Sequence, residues 1–564
     1  MKIQVVQMKS VAGQFKDNVE SMLNEIDKAR GKADVIVFPE LCVSGSLIMD
    51  YFKETSVIED LLKYNQQIID ASSDIMVIWG NVDSELDELY DAAYVAYNQE
   101  VVHKVHKSFN STSNLQVKKK YFVHSHSKEL KRFEAFGKTC AVVINNDLMV
   151  HEYFDVDILF HLNSHYYRGV DTIQQKLAFI SSIKTTVVSV NPVGIVNSSR
   201  FFGLLDGQSI IKHNQDIEVL NGNFEHESRF IDLNDFQGSN KFVSIPLIDA
   251  LIFGIKQIDK EVFGFKPKWI VGLSGGLDSS VVAALLALAL GADRVIGYNL
   301  ATKYNSSITI DNAKHLADSL GFEYHHFNIT PLVEATEEVA GQDIEGLALE
   351  NVQARIRGHV LMTMSSLVNG VISNNSNKLE SALGYGTLYG DTIGALAILA
   401  DCTKMEVVQL AQAINQRVKK EVIKTNLLPT MTKTGLEWDF APSAELRENQ
   451  VDPMKWGYHD YLINFLLSKP NAAITLMNQY LDGSLFQGQM GILLKSYGLD
   501  DPNAFVDDFL WVIKSINKSV FKRVQGVPMI VISNSVLGLN HLENQMPMII
   551  SDELQTLMDR VRRM

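Results

Sequence analysis

Apolar positions in the first part of the chain come in short runs bounded by turn-forming residues. The segments IQVVQM, DVIVFPE, IMVIWG, YVAYN, CAVVINND, DILFHLN and TVVSVNP each have the length and apolar content of a strand. The polar stretch IDLNDFQGSNKF, Ile231 to Phe242, ends this block. It is followed by VSIPLIDALIFGIKQIDKEVFGF, which has the apolar spacing of an amphipathic helix. A domain boundary is predicted there, giving residues 1–240 and 241–564.

Beyond the boundary, strand and helix patterns alternate. WIVGLS is followed by a helix, then RVIGYNLA, the helix of TIDNAKHLADSLG, EYHHFNI, the helix around ENVQARIRGHVLMTMSSLV, and GVIS. That βαβα order predicts a doubly wound parallel sheet covered on both faces, with ligands at the carboxyl ends of its strands. LDDPNAFVDDFLWVIKSINKSVFKRVQG reads as helical and closes this domain; DELQTLMDRVRRM at the end of the chain also has helical spacing. A chain of 564 residues exceeds what one hydrophobic core usually supports, which agrees with two domains.

The turn GLSGGLDSS, Gly272 to Ser280, joins the strand Trp269 to Val271 to the helix running through Val281 to Leu290. A helix start offers unpaired N–H groups and the positive end of the dipole, and glycines let the backbone approach a phosphate. The lysine of the Walker pattern is missing, since Leu277 and Asp278 follow Gly276. An aspartate in this place points to a magnesium ion as the source of positive charge.

Composition narrows the classes. Hydrophobic residues make up 46% and charged ones 21%, the balance of a globular protein, and the formal net charge of -15 argues against broad binding to nucleic acid or anionic lipid. MKIQVVQMKS lacks a signal-peptide pattern, and Val281 to Leu290 is too short to span a bilayer, so a cytoplasmic protein without a membrane partner is expected. Cys42, Cys140 and Cys402 form no C-x-x-C pair and no zinc spacing; each is expected to be a small buried hydrophobe in a reducing compartment.

The second half resembles the NAD synthetase family. SGGLDSS is similar to the pyrophosphatase-type (PP-loop) turn of enzymes that activate a carboxylate with ATP. ENVQARIRGHVLM, NKLESALGYGTLYGDTIG, DCTKMEVVQLA, APSAELR and SVFKRVQG follow in that family's order, so the resemblance covers about residues 245 to 530. It implies an adenine-nucleotide α-hydrolase-like domain that amidates the nicotinate carboxylate of deamido-NAD and splits ATP to AMP and pyrophosphate. By the same resemblance, Ser274, Gly275, Gly276, Asp278, Ser279 and Ser280 hold pyrophosphate and magnesium, with Glu380 as the second metal carboxylate. Asp391 and Lys404 match positions at the nicotinate end. Gln353, Arg355 and Arg357 lie on the helix lining the nucleotide site, and Lys378 is a further phosphate candidate. Arg355 and Arg357 are two apart on that helix, so they are not expected to face one ligand together. Ser376 and Leu379 replace the family's Gly and Ser, and Lys303 stands where arginine is common, which bears on the nucleotide contacts.

VIVFPELCVSG, Val35 to Gly45, resembles the glutamate strand of nitrilase-fold amidohydrolases, the glutaminase domain that precedes the synthetase in two-domain enzymes. The implied fold is an αββα sandwich, and the implied site a Glu base, an oxyanion lysine and a Cys nucleophile. Glu40 matches the base. Lys104 in VVHKVHK matches the lysine, with Lys107 as the alternative, and a buried Glu40–Lys104 pair is expected. The cysteine position is Asn145, in AVVINND. Its amide nitrogen is delocalised into the carbonyl and is no nucleophile. Cys140 lies five residues back, about 16 Å along a strand and on the other face, so it does not substitute. The lysine loop KSFNSTSNLQVKKKYF also departs from the family, with Lys118 near the second acidic position.

The sequence therefore predicts an ammonia-dependent enzyme with a retired glutaminase domain, forming a dimer or larger homo-oligomer by family resemblance. Two other readings remain: a partner glutaminase that delivers ammonia, or a nucleotide-binding pseudoenzyme.

Overall fold

The computed structural model describes residues 1–109, 118–125, 129–153, 155–447, 450 and 452–564, the side chain of residue 119 excepted. The chain forms two compact units, Met1–Ala250 and Leu251–Met564. The division lies in the first turn of the helix Leu247–Glu261, because 233–246 carries no regular element and most of the helix lies in the second unit.

In the first unit one sheet runs edge to edge as Glu227–Asp232, Lys2–Gln7, Val35–Val37, Met76–Glu85, Glu88–Tyr97 and Glu100–His106. A second runs Asp216–Val219, Ile210–His213, Thr186–Val190, Ile158–Leu162, Lys138–Ile144 and Arg132–Ala135. Alternation decides how they stack. Val5, Val37 and Ile78 of one sheet meet Cys140, Val142, Ile144 and Phe160 of the other in a single core, while Ala141, Val143 and Leu159 face the helix Thr172–Ser182. The helix Thr55–Asp70 packs on the strand Met76–Glu85 of the first sheet. The result is an αββα sandwich.

In the second unit six parallel strands run in the order Met529–Val531, Leu396–Ala397, Gly370–Asn374, Lys268–Gly272, Val295–Ala301, Glu323–Asn328. Strand order reverses between Lys268–Gly272 and Gly370–Asn374. Such a switch point opens a crevice at the carboxyl ends, which is where ligands bind in open α/β sheets. The helix Leu277–Leu290 is apolar on nearly every side and is buried from Val281 to Leu286, packing on the helix Lys404–Val418. Among the described residues no helix is long and apolar enough to cross a membrane.

Candidate active site

The turn after Gly272 is shaped by two constraints. Gly275 has φ +84°, and a Cβ there would stand 1.8 Å from the Thr309 carbonyl oxygen, so glycine is required both sterically and conformationally. Ser274 Oγ lies 3.0 Å from Ser279 Oγ and accepts the Gly276 N–H at 3.2 Å, while Ser280 Oγ donates to the Gly276 carbonyl at 2.8 Å. No side chain caps the helix that begins at Leu277. Its first N–H groups therefore remain available to an anion.

Across the switch point, Asn377 caps the short helix Lys378–Leu383 in a reciprocal box with Glu380. The Asn377 Nδ2 donates to Asp278 Oδ1 at 3.0 Å, which ties the two strand ends together. Lys404 Nζ stands 2.5 Å from Asp278 Oδ2 and 3.5 Å from Glu380 Oε1. Burial, with the Asp278 carboxylate nearby, pushes the Glu380 carboxyl up to about 8 against the pull of Lys404. Burial also raises Asp452, which accepts the indole N–H of Trp456 at 3.0 Å. Two carboxylates thus share one ammonium, with the charge of Asp452 nearby. An oxygen-only donor set with excess negative charge suits a hard cation such as magnesium, which takes one or two carboxylates and completes its shell with water and phosphate oxygens.

The remaining expected residues separate. Gln353 is fully buried, accepting from Thr302 Oγ1 at 3.1 Å and donating to the Leu446 carbonyl at 2.7 Å. Arg357 turns to the end of the strand Val295–Ala301, with Nε 2.9 Å from the Leu300 carbonyl, whereas Arg355 is exposed and its Nε donates to the Leu388 carbonyl at 3.4 Å. Asp391 is exposed and accepts the Thr387 N–H at 2.5 Å. Lys404 is not grouped with it; its partners are Asp278 and Glu380. Lys378, the further phosphate candidate, finds its partners inside the fold. Its Nζ is buried against Asp401 Oδ1 at 3.1 Å and donates to Ser533 and Ser535, so its charge is matched internally instead of facing a phosphate. The two family departures are absorbed by the fold: Ser376 is not among the positive-φ residues and Leu379 is 1% exposed in the core. A cavity of about 420 Å³ touches Gly370, Val371 and Ile372 at the amino end of their strand, remote in the sheet from the Gly272 end.

In the first unit, Glu40 follows the strand Val35–Val37 and is 1% exposed. Gly80 allows the neighbouring strand to approach it, since a Cβ there would meet Glu40 Cα at 2.6 Å. The expected Glu40–Lys104 pair does not form. Lys104 faces the outer surface of its strand, 2.6 Å from Asp83 and 2.7 Å from Glu85. Lys107, just past that strand's end, is buried with Nζ 2.8 Å from Glu40 Oε1. Lys118 adds a second ammonium at 2.7 Å from the same oxygen and 3.2 Å from Asp91. Burial would raise Glu40, but Lys107 and Lys118 overcome it and hold the carboxyl well below its usual range. Burial and the Glu40 charge instead raise Asp91 to about 7. Residues 110–117 of the lysine loop lie outside the described residues.

Asn145 terminates the strand Lys138–Ile144 with φ +50°, and its Nδ2 donates to Glu40 Oε2 at 3.0 Å. Ser164 also hydrogen-bonds that oxygen. Cys140 points into the core between the sheets, and burial raises its thiol to about 12; Cys42 is likewise buried and raised to about 12. Neither thiol stands at the Asn145 position. Asp91 and Ser164 had no sequence signal, because each reaches Glu40 from a distant strand or strand end.

An αββα sandwich thus precedes a doubly wound parallel domain with a glycine-rich turn at its switch point. Residues 252–478 match the model of the NAD synthase family. The chain is 26% identical over 549 residues to the glutamine-dependent NAD(+) synthetase of Acinetobacter baylyi, covering 93% of this chain and 94% of that one. A 214-residue stretch, 36% of this chain and 37% of the relative, is 34% identical to the corresponding enzyme of Rhodobacter capsulatus. Among solved structures, the glutamine-dependent NAD(+) synthetase of Cytophaga hutchinsonii superposes with a TM-score of 0.74 at 16% identity, covering 100% of this chain and 99% of that one. That of Acinetobacter baumannii, in complex with ADP, gives 0.67 at 24% identity, covering 93% and 94%.

Proposed function

We propose that this protein amidates the nicotinate carboxylate of deamido-NAD, consuming ATP and releasing AMP and pyrophosphate, with free ammonia as its nitrogen donor. The synthetase reading rests on the match over residues 252–478 together with the turn at Gly272–Ser280. A carboxylate has no good leaving group, so its oxygen first attacks the α-phosphorus of ATP and expels pyrophosphate. Ammonia then adds to the acyl carbon of the adenylate, loses a proton, and AMP departs.

The open N–H groups after Gly276 and the hydroxyls of Ser274 and Ser279 would bind the pyrophosphate. Asp278 and Glu380 would hold magnesium, which when bound reduces the repulsion between the two anionic reactants. Arg357, bonded to the Leu300 carbonyl, would contribute a fixed cation at the neighbouring strand end. Asp391 is assigned to the nicotinate end.

The nitrogen source rests on one observation: Asn145, with its amide donated to Glu40, stands where the resemblance requires a thiol. Glu40 is held by two ammoniums and is a weak base, so the Ser164 hydroxyl beside it is not activated either. The curated relatives are described as glutamine-dependent, which favours a second reading in which a separate glutaminase supplies ammonia.

Purified protein with ATP, magnesium and deamido-NAD should form NAD with ammonium and should form less than about a hundredth as much with glutamine, in keeping with loss of the covalent nucleophile. Comparable NAD formation from glutamine would refute the ammonia assignment. Absence of NAD from either donor, with no deamido-NAD-dependent exchange of pyrophosphate into ATP, would refute the synthetase assignment.

A further inference from the structure

The carboxylates assigned to the metal are already occupied by a cation from within the chain. Lys404 Nζ lies 2.5 Å from Asp278 and 3.5 Å from Glu380, and its side chain is 5% exposed. It is the first residue of the helix Lys404–Val418, and its N–H donates to Asp460 Oδ1 at 2.7 Å. The positive end of a helix dipole disfavours a cation there. The ammonium is therefore retained by its surroundings, and they offer more than the two carboxylates. The indole face of Trp456 lies 4.7 Å from Nζ, within the range of a cation–π contact. Trp456 is 3% exposed, oriented by its N–H bond to Asp452 and by an edge contact with Trp438 at 5.5 Å.

A divalent ion coordinating the same carboxylate oxygens would lie within a few ångströms of this ammonium, and the two cations would repel strongly in a buried site. We propose that Lys404 is an internal competitor for the metal: its ammonium holds the seat between Asp278 and Glu380 until nucleotide phosphates arrive, while Trp456 keeps it in the site once the carboxylates turn to the ion. Metal and nucleotide then bind cooperatively. The phosphates supply ligands to the ion and a counter-charge to the displaced lysine, so each ligand lowers the cost of the other. This inference rests on the assignment of Asp278 and Glu380 to magnesium in the proposed function.

The test uses the full chain with Mn²⁺ as a spectroscopic probe for magnesium, titrated with and without the non-hydrolysable analogue AMP-PNP, after correction for metal chelated by the analogue in solution. Wild type should bind Mn²⁺ weakly alone and at least about tenfold more tightly with the analogue, the size of an ordinary coupling. Lys404→Met should bind Mn²⁺ alone at least about tenfold more tightly than wild type, and the analogue should then add less. Lys404→Arg keeps the charge and should remain weak, and Asp278→Asn in the Lys404→Met background should abolish the tight site. Equal Mn²⁺ affinity of wild type and Lys404→Met without nucleotide would overturn the proposal. Should Lys404→Met not fold, wild type decides, since Mn²⁺ affinity unchanged by the analogue would overturn it equally. Failure of the synthetase reading is separable, because it would abolish NAD formation and leave this metal linkage in place.

Discussion

At the scale of single residues, the first unit turns on a few side chains around Glu40. Lys104 and Lys107 are three apart at the end of a strand, and an odd spacing sends them to opposite faces. Lys104 meets Asp83 and Glu85 outside, and Lys107 meets Glu40 inside. The motif pattern offered both, and the face each side chain takes decided between them. Asn145 has a partner in Glu40 and occupies a left-handed conformation that asparagine tolerates. Asn145→Cys should therefore restore less than about 1% of the glutaminase rate of an intact site, because a thiolate needs a free base and Glu40 is committed to Lys107 and Lys118. Rapid glutamate release by that variant would show the base to be available.

Asp91 gives a second prediction. Its carboxyl is raised to about 7 in the folded protein, so the native state binds more protons than the unfolded chain as pH rises from its ordinary carboxylate range. The stability it contributes is complete below the unfolded pKa and is lost as pH rises through about 7. Asp91→Asn, which does not titrate, should gain stability relative to wild type between about pH 4 and pH 8, read from urea midpoints. A pH-independent difference would contradict the assignment.

At the scale of elements, alternating and helical patterns located most strands and helices, and the strand-to-helix turn at Gly272–Ser280 was legible from its glycines. The pattern overstated one strand. DVIVFPE pairs only over Val35–Val37, because the chain leaves the sheet at Phe38 and Leu41 adopts φ +48°, which brings Glu40 to the sheet's end. The motif around Lys378 was readable as a helix start, yet the direction of its lysine was not: the capping box uses Asn377 and Glu380, leaving Lys378 to enter the interior toward Asp401. Gly275→Ala should lower stability by about 2 kcal/mol or more, since the added carbon meets backbone at Thr309 and the left-handed conformation adds strain. A variant as stable as wild type in urea would show that the turn relaxes freely.

At the scale of the whole molecule, the two units differ in what a ligand can do to them. The switch-point crevice presents open N–H groups and an excess of carboxylates, whereas the Glu40 cluster is closed by its own lysines. Magnesium with AMP-PNP should raise the thermal midpoint of the protein, and about 100-fold saturation over Kd corresponds to about 2.7 kcal/mol. Glutamine at millimolar concentration should leave the midpoint unchanged. A shift with glutamine would mean that the first unit still takes the amide.

The amino-acid sequence by itself determined the succession of strands and helices in the two units, the parallel order of the second, the glycine-rich strand-to-helix turn, and the asparagine at position 145. These follow from local periodicity, from glycine's conformational freedom and from the chemistry of one side chain, none of which needs distant partners. The tertiary structure alone decided that Lys107 and Lys118 hold Glu40, that Asp91 shares their charge, that Lys378 is internal, and that Lys404 stands between Asp278 and Glu380 beside Trp456. Those pairings join separate elements, Lys404 and Asp278 across 126 positions and Lys107 and Glu40 across 67, and the direction of each side chain is set by packing against elements that no local pattern encodes.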